Sequence, residues 1–194
     1  MTEREKMLTG KPYLASDPEL AAARKRARRL TRLYNATTEE EEERRREILA
    51  ELLGSAGPDA WIEPPFRCDY GSHFHIGERF YANFGLIVLD CAEVRIGDDA
   101  MLGPSVQIYA ATHPLDAAAR VAGPELARPI TIGNRVWIGG GAILCPGITI
   151  GDDTTIGAGS VVTRDVPPRV FAAGNPCRVI RGLDDPAQPG RASS

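Results

Sequence analysis

Aliphatic residues recur at every sixth position in the C-terminal half of the chain. They stand at Ile132, Ile138, Leu144, Ile150, Ile156 and Val162. A helix repeats its apolar face every 3.6 residues and an ordinary strand every 2, so a period of six fits neither. It is typical of a β-solenoid in which each hexad forms one short strand and one tight corner, and three hexads complete a triangular coil. The pattern therefore predicts a mostly β protein built as a parallel β-helix.

The hexads extend upstream of this stretch, but with two irregularities. Earlier hexads can be placed at residues 76–77, 96–97 and 102–103, and the step from Ile76 to Ile96 is 20 residues instead of 18. An insertion of two residues is therefore expected at one corner. Ile108 and Ile132 are 24 residues apart, yet residues 109–129 lack the repeat. We interpret them as a long loop extruded from one corner, where function is often placed in a regular scaffold.

The first third of the chain has helical periodicity. A helix is expected over residues 16–35, capped by Ser16 or Asp17, and a second from the Thr38–Glu41 capping box to about Leu53. This pattern predicts an N-terminal helical cap over residues 1–60 and a β-helix domain with a closing segment over 61–183. The Pro/Gly/Ser-rich residues 184–194 are expected to form a disordered tail.

Residues 24–32 contain six basic side chains. They could form an anion-binding or membrane-binding patch, or simply the solvated face of a helix that has an acidic neighbour. Residues 1–60 carry 12 basic and 12 acidic side chains, and this local balance favours the second interpretation.

Composition limits the possible partners and the compartment. The net charge of −3 predicts no general attraction to nucleic acid. No apolar run approaches the roughly 18 residues of a membrane span, and the charged N-terminus does not resemble a signal peptide, so we expect a cytoplasmic protein with no membrane partner. The cysteines form no CxxC pair and are expected to be reduced. No metal site is expected.

Few residues outside the repeat carry chemistry. His113 lies in the long loop beside Pro114, and an imidazole can accept a proton from a hydroxyl near neutral pH. Asn83 offers an amide donor for a developing oxyanion, or is a corner residue that tolerates a positive φ. Trp137 occupies an outward hexad position, and either covers a neighbouring subunit or offers a stacking surface. The flat, β-branched faces of a solenoid also favour a homo-oligomer.

An ordered set of motifs resembles the maltose/galactoside O-acetyltransferases. The motifs are WIEPP (61–65), DYG (69–71), HIG (75–77), YANF (81–84), ATHP (111–114), PITIG (129–133), VWIG (136–139) and AGNP (173–176). The resemblance runs from about residue 3 to residue 183, and the stretch 108–116 is most similar to maltose O-acetyltransferase. It implies a left-handed parallel β-helix that transfers acetyl from acetyl-CoA to a sugar hydroxyl, in a homotrimer with active sites between subunits.

The resemblance also implies roles for individual residues. His113 matches the catalytic base and Asn83 the residue that stabilises the transition state. The positions that match acceptor contacts are Asp17, Asp69, Tyr81, Asn83 and Cys91. Those that match the CoA channel are Asn83, Trp137, Gly140, Ala158, Thr163, Arg164, Arg178 and Arg181. Cys91 replaces an Asp of the galactoside enzymes, which argues against strict galactoside specificity, although the adjacent Asp90 offers a carboxylate that could compensate.

Several alternatives remain open on the sequence. No Ser or Cys is arranged with a base as a nucleophile, so direct transfer without an acyl-enzyme is expected. The acceptor could instead be a galactoside or a xenobiotic hydroxyl. A γ-carbonic-anhydrase-like zinc protein would share the hexads, but it needs a second histidine five residues after His113, where this chain has Ala118. A non-catalytic scaffold would need neither His113 nor the loop.

Overall fold

The computed structural model describes residues 1–183, so the predicted disordered tail lies outside the described residues. Within that range the helices are α1 (Glu3–Leu8), α2 (Pro18–Asn35), α3 (Glu42–Leu52) and α4 (Ala117–Val121). None of the helices in residues 1–183 is long and apolar enough to cross a membrane.

Most of the remaining chain forms short strands. They are β1 (Ser55–Ala56), β2 (Trp61–Ile62), β3 (Arg67–Cys68), β4 (Phe74–Ile76), β5 (Tyr81–Ala82), β6 (Ile87–Leu89), β7 (Val94–Ile96), β8 (Met101–Leu102), β9 (Gln107–Tyr109), β10 (Ala111–Thr112), β11 (Leu126–Ala127), β12 (Ile130–Ile132), β13 (Trp137–Ile138), β14 (Ile143–Leu144), β15 (Thr149–Ile150), β16 (Thr155–Ile156), β17 (Val161–Val162), β18 (Val170–Ala173) and β19 (Arg178–Gly182). Apart from the antiparallel pairs β10–β11 and β18–β19, consecutive strands belong to different sheets, and strands pair with those of neighbouring coils.

Three sheets form the faces of the solenoid. The first face has the order β1-β4-β7-β12-β15, the second β2-β5-β8-β13-β16-β18-β19, and the third β3-β6-β9-β14-β17. All of these pairings are parallel except β18–β19. The predicted parallel β-solenoid is therefore confirmed, with about six turns.

The hexad residues form the core because they stack in register from coil to coil. Ile132 pairs with Ile150, Ile138 with Ile156, and Leu144 with Val162. Each of these side chains is at most 2% exposed. Burying such a side chain contributes roughly 1.5–3 kcal/mol, so the repeated column stabilises every coil through its neighbours.

The extra residues of the early coils all lie at the corner between the third and first faces, which we call the insertion corner. The inward residues on either side of it are eight apart in the first two coils, at Cys68–Ile76 and Val88–Ile96. In the next coil the same interval, Ile108–Ile132, contains the long loop. The predicted two-residue insertion is therefore confirmed and placed between Val88 and Ile96.

The helical region departs from prediction in three places. Helix α1 was not predicted, although Thr2 and Glu5 form a capping box. Helix α3 begins at Glu42 because the capping box predicted from Thr38 and Glu41 is only half formed. Glu41 accepts from the Thr38 amide at 2.8 Å, but the Thr38 hydroxyl also bonds that carboxylate at 3.1 Å. Strand pairing begins at Ser55, before the boundary expected at residue 60.

Candidate active site

The insertion corner brings predicted site residues from three successive coils to one edge of the solenoid. Asp69 comes from the first insertion, Cys91 from the second, and His113 from the long loop. The Cys91 thiol donates to Asp69 Oδ2 at 3.5 Å. Residues separated by about 20 positions in sequence are therefore neighbours, because parallel coils stack corner on corner.

The buried carboxylate of Asp90 holds the backbone of the first insertion at this corner. Asp90 is fully buried and accepts hydrogen bonds from the backbone amides of Asp69 (3.1 Å), Tyr70 (2.8 Å) and His73 (3.3 Å). Burial raises the pKa of Asp90, while these amides and His73 oppose the shift. Its oxygens are thus occupied by backbone, and the side chain exposed to the corner is that of Asp69.

The long loop is an ordered excursion. Strands β10 and β11 form an antiparallel hairpin in which Ala111 pairs with Ala127 and Thr112 with Leu126. Helix α4 lies between them, and Arg120 from this helix donates to the carbonyls of Pro114 and Leu115.

His113 directly follows β10 and is exposed. In residues 1–183 its ring has no hydrogen-bond partner or ion pair. Continuing the hairpin register by one residue places Glu125 across from His113.

The N-terminal segment fastens this loop to the solenoid. Tyr13 forms an antiparallel bridge with Glu125, with N–O distances of 3.1 and 2.9 Å. Its buried hydroxyl also donates to Glu125 Oε2 at 3.0 Å. Sequence reasoning missed both residues because 112 positions separate them and neither belongs to a local pattern.

The pKa values of three acidic groups at this corner are raised. Burial raises the pKa of Asp69, while the Cys91 thiol, Arg24 and Arg28 oppose the shift. Burial also raises the pKa of the Cys91 thiol, and Asp69 raises it further. The pKa of the Tyr13 phenol is raised for the same first reason. Near neutral pH, Cys91 is therefore a thiol that donates and not a thiolate that attacks.

The other predicted acceptor residues are placed differently. Asp17 caps α2, accepting from the amides of Glu19 (3.0 Å) and Leu20 (3.3 Å). Tyr81 lies on β5, with its side chain exposed on the second face.

Asn83 follows β5 at the corner between the second and third faces. Its φ is not in the left-handed region, so a positive-φ role does not explain it. The Asn83 side-chain oxygen accepts from the Phe84 amide at 2.8 Å, which leaves the NH₂ group to serve a ligand. One solenoid face, roughly 15–20 Å long at about 3.3 Å per residue, separates this corner from His113. A single chain therefore does not bring Asn83 and His113 together.

The residues predicted to line a CoA channel form two groups. Trp137 is 53% exposed on the second face. Gly140 and Ala158 follow in stacked corners, packed so closely that a Cβ on Gly139 would lie 2.4 Å from the Ala158 nitrogen.

The second group lies near the end of the solenoid. Arg164 and Arg178 line one depression of about 140 Å³, with Thr163 beside Arg164 at the corner after β17. Arg181 pairs with Phe171 on the strands β18 and β19.

The remaining histidines are engaged separately. His73 Nδ1 lies 2.9 Å from the Asp90 carbonyl, whereas the His75 ring lies near the Ser55 hydroxyl (3.0 Å) and Glu93 (2.9 Å). In the described part of the chain, no three His, Cys, Asp or Glu side chains are grouped as a metal site.

Comparison with known proteins assigns the family. Residues 6–57 match the maltose acetyltransferase hexapeptide capping motif, and residues 129–164 match the bacterial transferase hexapeptide of six repeats. Nodulation protein L of Rhizobium meliloti (strain 1021) is 52% identical over 92% of this chain and 97% of that protein. The chain belongs to the hexapeptide-repeat sugar O-acetyltransferase family.

Solved structures of this acetyltransferase family agree closely with the fold. A maltose O-acetyltransferase from Clostridium difficile 630 superposes with a TM-score of 0.94 and 54% identity, covering 95% of this chain and 99% of that one. A galactoside acetyltransferase in complex with coenzyme A superposes with a TM-score of 0.92 and 43% identity, covering 95% and 92% of the two chains. The capping motif contains Tyr13, which fastens the loop that carries His113.

Proposed function

We propose that this acetyltransferase transfers acetyl from acetyl-CoA to a hydroxyl of a maltose-type or glucose-type sugar. The observation that carries the proposal is the exposed, unpartnered imidazole of His113 beside the Asp69–Cys91 pair at the insertion corner. The similarity to solved structures of a maltose O-acetyltransferase and of a galactoside acetyltransferase in complex with coenzyme A supports the reaction class.

The chemistry is a direct transfer between two bound substrates. His113 removes the proton of the sugar hydroxyl as its oxygen attacks the thioester carbonyl, which forms a tetrahedral oxyanion. The Asn83 amide donates to that oxyanion, a contribution of about 2.7–4 kcal/mol for one good donor. The carbon–sulfur bond then breaks, and the protonated imidazole returns its proton to the leaving thiolate. The buried thiol of Cys91 is unsuited to form an acyl-enzyme.

Glu125 is a positioning residue in this proposal. The hairpin register places it across from His113, and the Tyr13 hydroxyl holds one of its oxygens at 3.0 Å. A carboxylate in that place favours the imidazolium formed during proton transfer. Replacement of Glu125 by Gln should therefore lower kcat and leave KM for acetyl-CoA unchanged, a split that loss of packing alone would not produce; a wild-type kcat would remove this role.

The two groups of CoA-channel residues suit different parts of acetyl-CoA. Trp137 offers an exposed apolar ring, and the small residues Gly140 and Ala158 leave room beside it for the pantetheine arm. Arg164, Arg178 and Arg181 lie toward the end of the solenoid, where guanidinium groups can bind the CoA phosphates. Thr163 lies beside Arg164 in the second group.

A homotrimer would complete the site. Asn83 and His113 lie at different corners of one chain, so a corner of a second copy must supply the missing group. Exposed apolar side chains on the second face, including Tyr81, Met101 and Trp137, are available for that contact. The active site would then lie between two subunits.

The acceptor is expected to contact Asp17, Asp69, Tyr81, Asn83 and Cys91. At position 91 the thiol is committed to Asp69, and Asp90 is enclosed by backbone amides. The absence of an available carboxylate at position 91 therefore argues against strict galactoside recognition and favours glucose and maltose.

The assay is thiol release from acetyl-CoA with glucose, maltose or isopropyl thiogalactoside as acceptor. We expect turnover with glucose and maltose, and a trimer by light scattering. A protein that neither binds acetyl-CoA nor releases CoA with any acceptor would be a scaffold and would overturn the proposal.

A further inference from the structure

Three arginines surround a cavity beside the insertion corner. The cavity has a volume of about 430 Å³ and is lined by Arg28, Thr31, Arg32, Asn35, Ala36 and Arg67. Its lining contains three guanidinium groups and no carboxylate. We call it the arginine cavity.

No carboxylate in residues 1–183 forms an ion pair with the arginines of this cavity, and only Arg28 interacts with a carboxylate, that of Asp69, at longer range. In residues 1–183, the side chains of Arg28, Arg32 and Arg67 make no ion pair and no hydrogen bond. Converging positive charges repel one another, so their approach is favourable only when an anion lies between them.

Other arginines of the same helical run behave differently. Arg24 donates to the Tyr70 hydroxyl at 2.7 Å, and Arg29 pairs with Glu51 at 3.0 Å. An acidic neighbour thus explains part of the basic run, as expected from its balanced charge. It does not explain Arg28 and Arg32, which face the cavity.

The cavity is held rigidly by hydrogen bonds at the end of α2. The Asn35 amide donates to the Phe66 carbonyl and accepts from the Phe66 amide, both at 2.9 Å. This pair fixes the start of β3, and therefore Arg67, against the turn of α2 that carries Arg32. Such preorganisation lowers the entropic cost of binding.

The arginine cavity lies near the acceptor corner. Asp69 is two residues beyond Arg67, and Arg28 is near enough to favour its charged form. A sugar that reaches Asp69 can therefore extend a substituent toward the three arginines. Guanidinium groups match phosphate, sulfate and carboxylate oxygens in pairs.

We propose that the arginine cavity binds an oxyanion carried by the acceptor, so that the preferred acceptor is a phosphorylated, sulfated or carboxylated saccharide. This inference rests on the proposed acetyl transfer and on an acceptor bound at Asp69. It names the substrate class that neutral test sugars would miss.

The first test compares glucose with glucose 1-phosphate, which has the same free 6-hydroxyl and one added anion. We expect kcat/KM to be at least tenfold higher for glucose 1-phosphate. We also expect inorganic phosphate to inhibit the acetylation of glucose 1-phosphate competitively, with an inhibition constant higher than the KM of glucose 1-phosphate. Equal kcat/KM values for the two acceptors would overturn the proposal.

Variants locate the effect. Arg32→Gln and Arg67→Gln should each lower the ratio of kcat/KM for glucose 1-phosphate over glucose by about tenfold, the loss expected for one charged hydrogen bond. Arg29→Gln is the matched control, because Arg29 is on the same helix but pairs with Glu51. An equal fall in the ratio for all three variants would indicate a general charge effect and refute the assignment.

A binding measurement separates this proposal from the proposed function. Titration of the intact oligomer with glucose 1-phosphate, followed by phosphorus NMR, should show binding that Arg32→Gln weakens. This result would support the cavity even if no acceptor were acetylated. If glucose 1-phosphate does not bind, the proposal fails. Dissociation of the oligomer by Arg32→Gln would then identify the cavity as a contact between copies.

Discussion

Replacement of His113 by Ala should lower kcat strongly and leave the free energy of unfolding almost unchanged. The imidazole is exposed and has no hydrogen bond in residues 1–183. A substitution at such a position alters the free energy of unfolding by less than about 0.5 kcal/mol. Loss of a general base lowers kcat by about 10²–10⁴-fold, which is roughly 2.7–5.4 kcal/mol of barrier. The catalytic effect should therefore exceed the structural effect several-fold.

The assay is CoA release at saturating acetyl-CoA and maltose, with urea unfolding measured on the same preparations. His75→Ala is the control, because this half-buried ring lies on the first face and contacts Ser55 and Glu93 instead of the long loop. We expect His75→Ala to keep its activity. A His113→Ala enzyme that retains more than a tenth of the wild-type kcat would refute the assignment of His113 as the base.

Three further predictions concern the solenoid wall and the insertion corner. Gly139→Ala should lower stability to urea by about 1–3 kcal/mol, since its Cβ would lie 2.4 Å from the Ala158 nitrogen, whereas Gly182→Ala has nothing within 4 Å and should be neutral. Burial raises the pKa of Asp69 above its usual 3.8, so the contribution of this group to the free energy of unfolding falls as pH rises through the raised pKa. The stability of Asp69→Asn relative to wild type should therefore increase over the same pH range, and a difference that does not depend on pH would contradict this. Cys91→Asp places a second carboxylate beside Asp69, which should lower stability and shift relative kcat/KM toward isopropyl thiogalactoside; an unchanged ratio would remove Cys91 from the acceptor site.

The fold could be predicted because the hexads are a local, repeated signal. Ile132 and Ile138 each occupy the inward strand position that the hexads predict. The interval of 20 residues between Ile76 and Ile96 indicates an insertion of two residues but not its position. Helix α1 was missed because six residues contain too little periodicity. The start of α3 was misplaced because the Thr38 hydroxyl bonds a side chain where a capping residue accepts from the backbone.

The site could be predicted only in part. His113 stands out because the repeat is interrupted around it. Tyr13 and Glu125 do not, since their contact joins the N-terminal segment to the loop across 112 positions. The separation of Asn83 from His113 also has no local signal, because it depends on which corners of the coil the two residues occupy.

The position of the insertions explains how a rigid repeat can hold a reactive site. Residues added at a corner do not change how the buried strand residues of the three faces pair. The core therefore does not restrict the length or the residue types of the insertion. Because three successive coils use the same corner, Asp69, Cys91 and His113 form a column instead of scattered loops. The outermost loop still needs an external support, and the bridge between Tyr13 and Glu125 provides it. In the proposed reaction, the N-terminal cap therefore holds the loop that carries His113 in place, although His113 itself belongs to the solenoid.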